Sequence, residues 1–594
     1  MQRLRILLTL AALCLPCLGA AGTVDAILAS PRTEPRHFVD TALALSDLRE
    51  AAAAEGVVTE LIALQLDDAQ RIKLVDTVGA GKLARLAREF PSAMAFVEGC
   101  LIAANQSNTA PSKLSELVNQ LGSDNRDQVA SAIRSISRTG LAGVDHCLNA
   151  IASAGDKTLQ DRLREALVAL DPISLPALYA GLSDENTAVR TQSAYALGRL
   201  AKIDRLRSSL ATALVAARAV SSPAGEPDSQ AAQWAYTQLS GEPFSAPAAA
   251  RIIEYATEQL LAGELPLTPQ NDGLVLWRSD RSSTWEPHPP RQVAVWLASR
   301  LAQASAELQA GNPEAQRRAA LLTAESGDTE SGLNSLSPQD VTAALATSLK
   351  QQLPSAAEAC CARLAELGDM SVLITKTGKP SPLADALEAP LPSVRFAALQ
   401  AIVAIGPDSP FPGSSRVGKT LAYFAESSGL PQAVVAYPNL AKASNVAGLL
   451  IAEGYAASPV NNGAVALQIA SSADTRFVLL DLATIRPGVR DTLFRLRRTA
   501  DSASLPVALL ASEGRLEEAR ALASEHGGEA AAVIASPRPH TPETVAALAQ
   551  QLERLAPAST AEERRIRADW ARQTLAQLSE EGPSFYRLSR QAPR

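Results

Sequence analysis

Apolar residues recur at helical spacing along most of the chain. Leu43, Leu45 and Leu48 form one such set, followed by Leu61, Leu64 and Leu66. Further on, Ala194, Leu197 and Leu200 repeat the pattern, as do Ala398, Ile402 and Ile405. Recurrence at three and four residues gives a helix one apolar stripe, so the pattern predicts a long series of amphipathic helices. The rhythm breaks twice. Residues 264–291 carry Pro266, Pro269, Asn271-Asp272-Gly273, Trp277, Trp285 and Pro287. Leu274 to Trp277 reads as a short strand and Ser283 to Trp285 as its return, a hairpin or ordered loop inserted among helices. Packing is the expected role of Trp277 and Trp285, a ligand platform the alternative. After Gly429, short apolar runs at 433–436, 456–460, 477–480, 507–510 and 531–534 alternate with helical patterns at 440–453, 463–472, 489–499, 514–525 and 542–555. Strands alternating with helices predict a parallel sheet covered on both faces.

Two helical segments are copies of one another. In the first, Leu182 is followed by an acidic turn through Asp184, then Val189-Arg190 and the helix TQSAYALGRL. In the second, Leu387 is followed by a turn containing Pro392, then Val394-Arg395 and the helix FAALQAIVAI. Weaker copies lie around Leu121 to Ile133, Leu148 to Leu178, Asn312 to Leu322 and in the helix 355–367. This arrangement resembles the HEAT repeat, in which two helices flank a short turn and the second opens with Val-Arg. The resemblance implies an α-solenoid: neighbouring helix pairs stack to bury faces that no pair can bury alone. Val189 and Val394 are then core residues. Arg190 and Arg395 are structural, reaching loop carboxylates or carbonyls of an adjacent repeat.

The C-terminal alternation resembles the receiver domain of bacterial response regulators over about 120 residues, the size of a small domain. Phe477-Val-Leu-Leu-Asp481 matches the third strand, which in the family ends on the phosphoacceptor, and Leu505 to Leu510 matches the fourth. Ile534-Ala-Ser-Pro537 matches the end of the fifth. The rest of the family's chemistry is replaced. Its paired acids, which bind Mg²⁺, correspond to Tyr437 and Pro438; its lysine corresponds to Ser536; its switch hydroxyl corresponds to Ala511, with Ser512 one position on. A single carboxylate at Asp481 makes a poor site for a hard dication. The resemblance therefore implies a degenerate receiver serving as a folded interaction or capping module, with phosphotransfer at Asp481 as the alternative.

Composition agrees with a repeat array. Aromatic residues make up 4% of the chain and methionine only 3 residues, so the core must be built from small aliphatic helix formers. The net charge of −7, with both signs interspersed, argues against a nucleic-acid surface. Arg3 and Arg5, the apolar run from Ile6 to Leu18 and the small residues Gly19 to Gly22 describe a secretory leader over residues 1–22. Pro16 stands where a lipid-attachment motif expects a small residue before Cys17. No later apolar run reaches about 18 residues, so no transmembrane span is expected beyond the leader. Cys100, Cys147, Cys360 and Cys361 have no zinc spacing. Buried thiols are the expectation, with a Cys100–Cys147 disulfide left open.

One motif invites a different function. Gly413-Ser-Ser-Arg-Val-Gly418-Lys419-Thr420 matches the phosphate-binding loop letter for letter. Such a loop works when a strand runs into it and a helix leaves it, so that backbone N–H groups cradle phosphates. Here the helix around Ala398 to Ile405 and the prolines 407, 410 and 412 precede it. An ordered turn capping a helix at 418–427 is the expectation, nucleotide binding the alternative. The five histidines, His37, His146, His288, His526 and His540, show no metal-ligand spacing, and no catalytic constellation or cofactor is expected.

The sequence thus predicts a mainly α protein: a leader at 1–22, an N-terminal helical cap at 23–108, a solenoid at 109–430 with its insertion at 264–291, a small doubly wound, flavodoxin-like α/β domain at 431–556, and a helical tail at 557–594. In layout it is similar to exported HEAT-repeat proteins of planctomycete type. The expected function is a non-catalytic, periplasmic or extracellular scaffold with protein partners on the solenoid surface.

Overall fold

The computed structural model describes residues 23–267, 274–275, 287–327, 332–375, 378–407, 409–527, 532–556 and 559–580. The chain is mainly helical until Ala425, and a five-stranded parallel sheet follows. It divides into two compact units: residues up to Ile252 with Pro266–His288, and Ile253–Leu265 with the residues from Pro289 onward. The leader expected at 1–22 and both Trp277 and Trp285 lie outside the described residues.

In the first unit, helices Pro35–Asp47, Ala51–Ala63, Asp68–Val78, Ala80–Glu89 and Met94–Asn108 share a core containing Phe38, Leu45, Leu61, Leu83, Leu86 and Val97. Successive helices then run from Pro111–Leu121 to Pro227–Ser240. Their starts are written in the sequence. Asn125, Asp156, Asn186 and Ser208 each accept a bond from an amide of the first turn, satisfying donors that the helix itself leaves open. Gly198 sits where helix Thr187–Lys202 meets helix Pro227–Ser240: a Cβ there would lie 2.8 Å from the Ala235 Cα and against the Trp234 ring. Strands β1 (Leu274–Val275) and β2 (Pro287–His288) pair antiparallel, Leu274 opposite His288. The second strand thus lies at Pro287–His288, past the return expected at 283–285, and the residues between the two strands lie outside the described ones.

In the second unit, Pro290–Leu308, Pro313–Glu325, Pro338–Gln351, Pro354–Leu367 and Pro392–Ile405 each open on proline. Proline suits a first helical turn because its missing N–H would have no partner there. Glu325 ends one of these helices and caps another: its Oε2 accepts from the Ala356 amide at 2.8 Å. Burial raises this carboxyl to about 7, against the pull of that amide and of Arg291.

The sheet comprises β3 (Gln432–Ala436), β4 (Ala456–Val460), β5 (Thr475–Asp481), β6 (Val507–Ala511) and β7 (Val533–Pro537), in the order β4-β3-β5-β6-β7. All four pairings are parallel. This is the 2-1-3-4-5 order of a flavodoxin-like doubly wound fold, and β5 and β6 are apolar throughout their middles because both faces are covered. Val434, Val478, Leu480 and Leu509 face one set of helices; Val435, Phe477, Leu479 and Leu510 face the other. The fifth strand lies further along than the run 531–534 suggested. Its pairing of Val507 with Val533 and Ala511 with Pro537 carries it through Ile534, Ala535 and Ser536.

The last described helix, Ala561–Glu580, packs back on the elements before the sheet. Its Trp570 ring meets Phe396, which in turn meets Phe424, each pair with centroids 5.2 Å apart. Arg572 donates to the carbonyls of Ala425 (2.9 Å) and Ser427 (2.7 Å), and Arg564 to that of Gly429 (2.8 Å). Ala425 ends helix Ser415–Ala425, so the first bond satisfies an acceptor the helix leaves open; the other two hold the loop that follows.

Candidate functional site

The two Val-Arg pairs have matching roles in sequence and different partners in space. Val189 and Val394 are both buried. Arg190 donates from Nη1 to the carbonyls of Asp184 (2.9 Å) and Glu185 (2.8 Å), from Nη2 to Thr187 (2.9 Å), and from Nε to Asp228 (2.7 Å). It closes its own turn and joins the helix that starts at Pro227. Burial pushes the Asp228 carboxyl upward, but Arg190 and Arg218 outweigh it and hold the group below the usual carboxylate range. Arg395 is 2% exposed and leaves its own turn. It pairs with Asp501, which precedes β6, and lies 4.4 Å from the centre of the Tyr423 ring.

In a doubly wound sheet, ligands bind outside the carboxyl ends of the strands, where the strand order reverses. Here that point lies between β3 and β5, and it is occupied by the protein's own side chains. Asp481 ends β5 with no exposed surface. Its Oδ1 accepts from the Ala483 amide (2.9 Å) and from Arg538 Nη2 (3.1 Å), and its Oδ2 from Arg538 Nε (2.6 Å). Tyr437, at the end of β3, is buried beside them; burial first, and the Asp481 charge second, push its phenol up to about 12. The Ser536 hydroxyl donates to the Pro537 carbonyl at 3.0 Å. Ala511 is buried and Ser512 exposed. Arg538, which the sequence reading missed, follows β7 directly; the later end of that strand brings it to Asp481.

The phosphate-loop lookalike is part of a helix. Helix Ser415–Ala425 follows helix Pro392–Ile405 through a turn in which the Ser414 amide donates to Phe411 and the Arg416 amide to Gly413. Gly413 has φ +88°, and a Cβ there would press on Pro380 and Ala384. Gly418 is buried inside the helix, Lys419 points to solvent, and the Thr420 hydroxyl donates to the Arg416 carbonyl at 2.8 Å. The amides that would cradle phosphates are thus engaged in turn and helix bonds.

An open apolar groove of about 860 Å³ lies between helices Ala80–Glu89 and Met94–Asn108. Ala87, Pro91, Met94, Val97, Leu101 and Ile102 line it, with Arg88 and Glu98 beside them. Met94, Glu98, Leu101, Ile102 and Asn105 fall on one helical face, and Met94 is 57% and Ile102 50% exposed.

The HEAT repeat family model matches residues 175–203, which span helix Leu175–Gly181, the Asp184 turn and helix Thr187–Lys202. No curated protein matches the chain. The chain thus contains a HEAT repeat at its clearest Val-Arg pair, within a helical series and ahead of a parallel α/β sheet. Among the described residues, no helix is long and apolar enough to cross a membrane.

Proposed function

We propose that this protein is an exported, non-catalytic scaffold that binds partner proteins on its helical surface, with its C-terminal domain a degenerate receiver retained for packing. The groove between helices Ala80–Glu89 and Met94–Asn108 carries the reading. A soluble chain ordinarily keeps large apolar side chains out of water, and a lined patch of them marks an interaction surface. Its two-helix walls and flanking charges of opposite sign suit an amphipathic helix of a partner, laid in with its apolar stripe down. HEAT arrays commonly serve such interactions. The Arg538–Asp481 pair supports the degenerate reading, since the carboxylate that would take a phosphoryl group is buried and has donors on both oxygens. The leader-like start supports export.

The test is an affinity pull-down from the native cell envelope with the wild-type chain and the variant M94E/I102E. The expected result is a partner retained by the wild type and lost by the variant, with unchanged circular dichroism. Equal retention by both would remove the groove from the interface, and an empty pull-down with both would overturn the scaffold reading.

A further inference from the structure

A second cavity lies in the other unit, away from the carboxyl ends of the strands. It is enclosed by helix Pro392–Ile405, helix Ser415–Ala425, the start of β5 and the final helix. Its volume is about 50 Å³, room for about four water molecules or one tetrahedral oxyanion. Arg476, Arg564, Arg567, Ser559, Asp501 and Tyr423 are among the residues lining it.

The charges around it do not cancel. Arg395 pairs with Asp501, Arg476 with Glu553, and Arg564 Nε stands 3.8 Å from Asp474. Asp474 is already saturated by the Ser427 and Ser428 hydroxyls and the Ser428 and Gly429 amides. Arg567 lies over the Phe396 ring and has no carboxylate at ion-pair distance among the described residues. Arg476, Arg564, Arg567 and Asp501 line the cavity; with Arg395, Glu553 and Asp474 behind them, four guanidinium groups stand against three carboxylates. Burial, reinforced by the charges of Arg476 and Arg567, draws the Arg564 pKa below its ordinary value despite Asp474 and Glu553.

Donors are also left over. Arg564 is 7% exposed, yet its Nε makes no hydrogen bond, and the buried Ser559 hydroxyl makes none either. Arg395, packed on the cavity residues Tyr423 and Asp501, has both Nε and Nη2 buried without a hydrogen-bond partner. Buried donors ordinarily find acceptors, because leaving one unmade costs about 1–3 kcal/mol. An oxyanion supplies the missing acceptor atoms and the missing negative charge together.

We propose that this cavity binds one phosphate-sized oxyanion, held by the guanidinium groups of Arg567 and Arg564 and the hydroxyl of Ser559. Bound there, the anion joins the last HEAT-type helices, the α/β domain and the final helix. Its source is either free inorganic phosphate or the terminal phosphoryl group of a small ester.

The test is thermal melting of the full chain against inorganic phosphate, phenyl phosphate and, at matched ionic strength, sodium chloride. The expected result is a saturable rise in Tm with phosphate beyond that with chloride. A matching rise with phenyl phosphate identifies a phosphoryl group as the source; a rise with phosphate alone identifies the free anion. R567Q should weaken the response at least tenfold, and S559A, which removes one hydroxyl and no charge, severalfold. A phosphate response no larger than that of chloride, or one undiminished in both variants, overturns the site.

Discussion

Arg395 and Asp501 form an ion pair across 106 residues of sequence, joining helix Pro392–Ile405 to the loop before a strand of the α/β domain. The arginine is almost fully buried and is stacked on Tyr423. Removing one member of a buried pair leaves the other charge uncompensated, at a cost of about 3–5 kcal/mol. R395M and D501N should each destabilise the second unit by that order in urea unfolding. The double variant should lose less than the sum, because it leaves no lone charge. Strict additivity would show that the two residues do not act together.

The Asp481–Arg538 pair makes a prediction about ligands. A carboxylate with donors on both oxygens offers no free position to a phosphoryl mimic. Beryllofluoride with Mg²⁺ should leave the melting temperature of the wild-type chain unchanged. D481N should lower stability by about 1–3 kcal/mol through loss of a charged hydrogen bond. A mimic that raises the melting temperature of the wild type but not of D481N would restore Asp481 as a phosphoacceptor.

Glu325 predicts a pH dependence. Its folded-state value of about 7 lies above the 4.5 of a free carboxyl, so the folded protein holds this proton more tightly. The contribution is complete below about pH 4.5 and is lost as pH rises toward 7. E325Q keeps an acceptor for the Ala356 amide and carries no charge. It should match the wild type near pH 4.5 and exceed it by about 1–2 kcal/mol at pH 8, allowing for partial solvent screening. A constant difference across that range, read by denaturant midpoints, would contradict the assignment.

Gly198 predicts a case in which a better helix former is worse. Alanine in place of glycine inside a helix ordinarily adds about 1 kcal/mol. At this position the new Cβ meets the Ala235 backbone, which cannot swing aside as a flexible side chain would. Forced overpacking costs about 1–3 kcal/mol, so G198A should be neutral to destabilising by about 2 kcal/mol in thermal or urea unfolding. A stabilised G198A would mean that the two helices separate freely.

What was legible in the sequence depended on distance along the chain. The motif sends Arg190 to an adjacent repeat, and Asp228 meets it there, but its carbonyl partners Asp184 and Glu185 lie in its own turn. The helix starts were legible because proline and side-chain caps act on their own first turns. The partner of Arg395 was not legible, because the same dipeptide gives no sign that Asp501 will be brought beside it. The β7 boundary failed for another reason. The run Ala531 to Ala535 is uniformly apolar, and only pairing with β6 fixes where the strand ends. That offset hid Arg538, and with it the residue that closes over Asp481. In the final helix Glu562 and Glu563 are exposed, while the buried Arg564 beside them carries the contact, and nothing local in the sequence separates the two.

The bonds from Arg564 and Arg572 to the residues after Ala425 have a consequence for architecture. The chain leaves the helical layer at Gly429, builds the whole α/β domain, and returns to the same spot at Arg564. The sheet is thus an inserted domain whose entrance and exit are pinned together, the geometry in which a module can be gained, exchanged or excised with a short bridging loop. Helices Ser415–Ala425 and Ala561–Glu580 form one hairpin, interrupted by a cargo of about 130 residues, a typical length for a single domain.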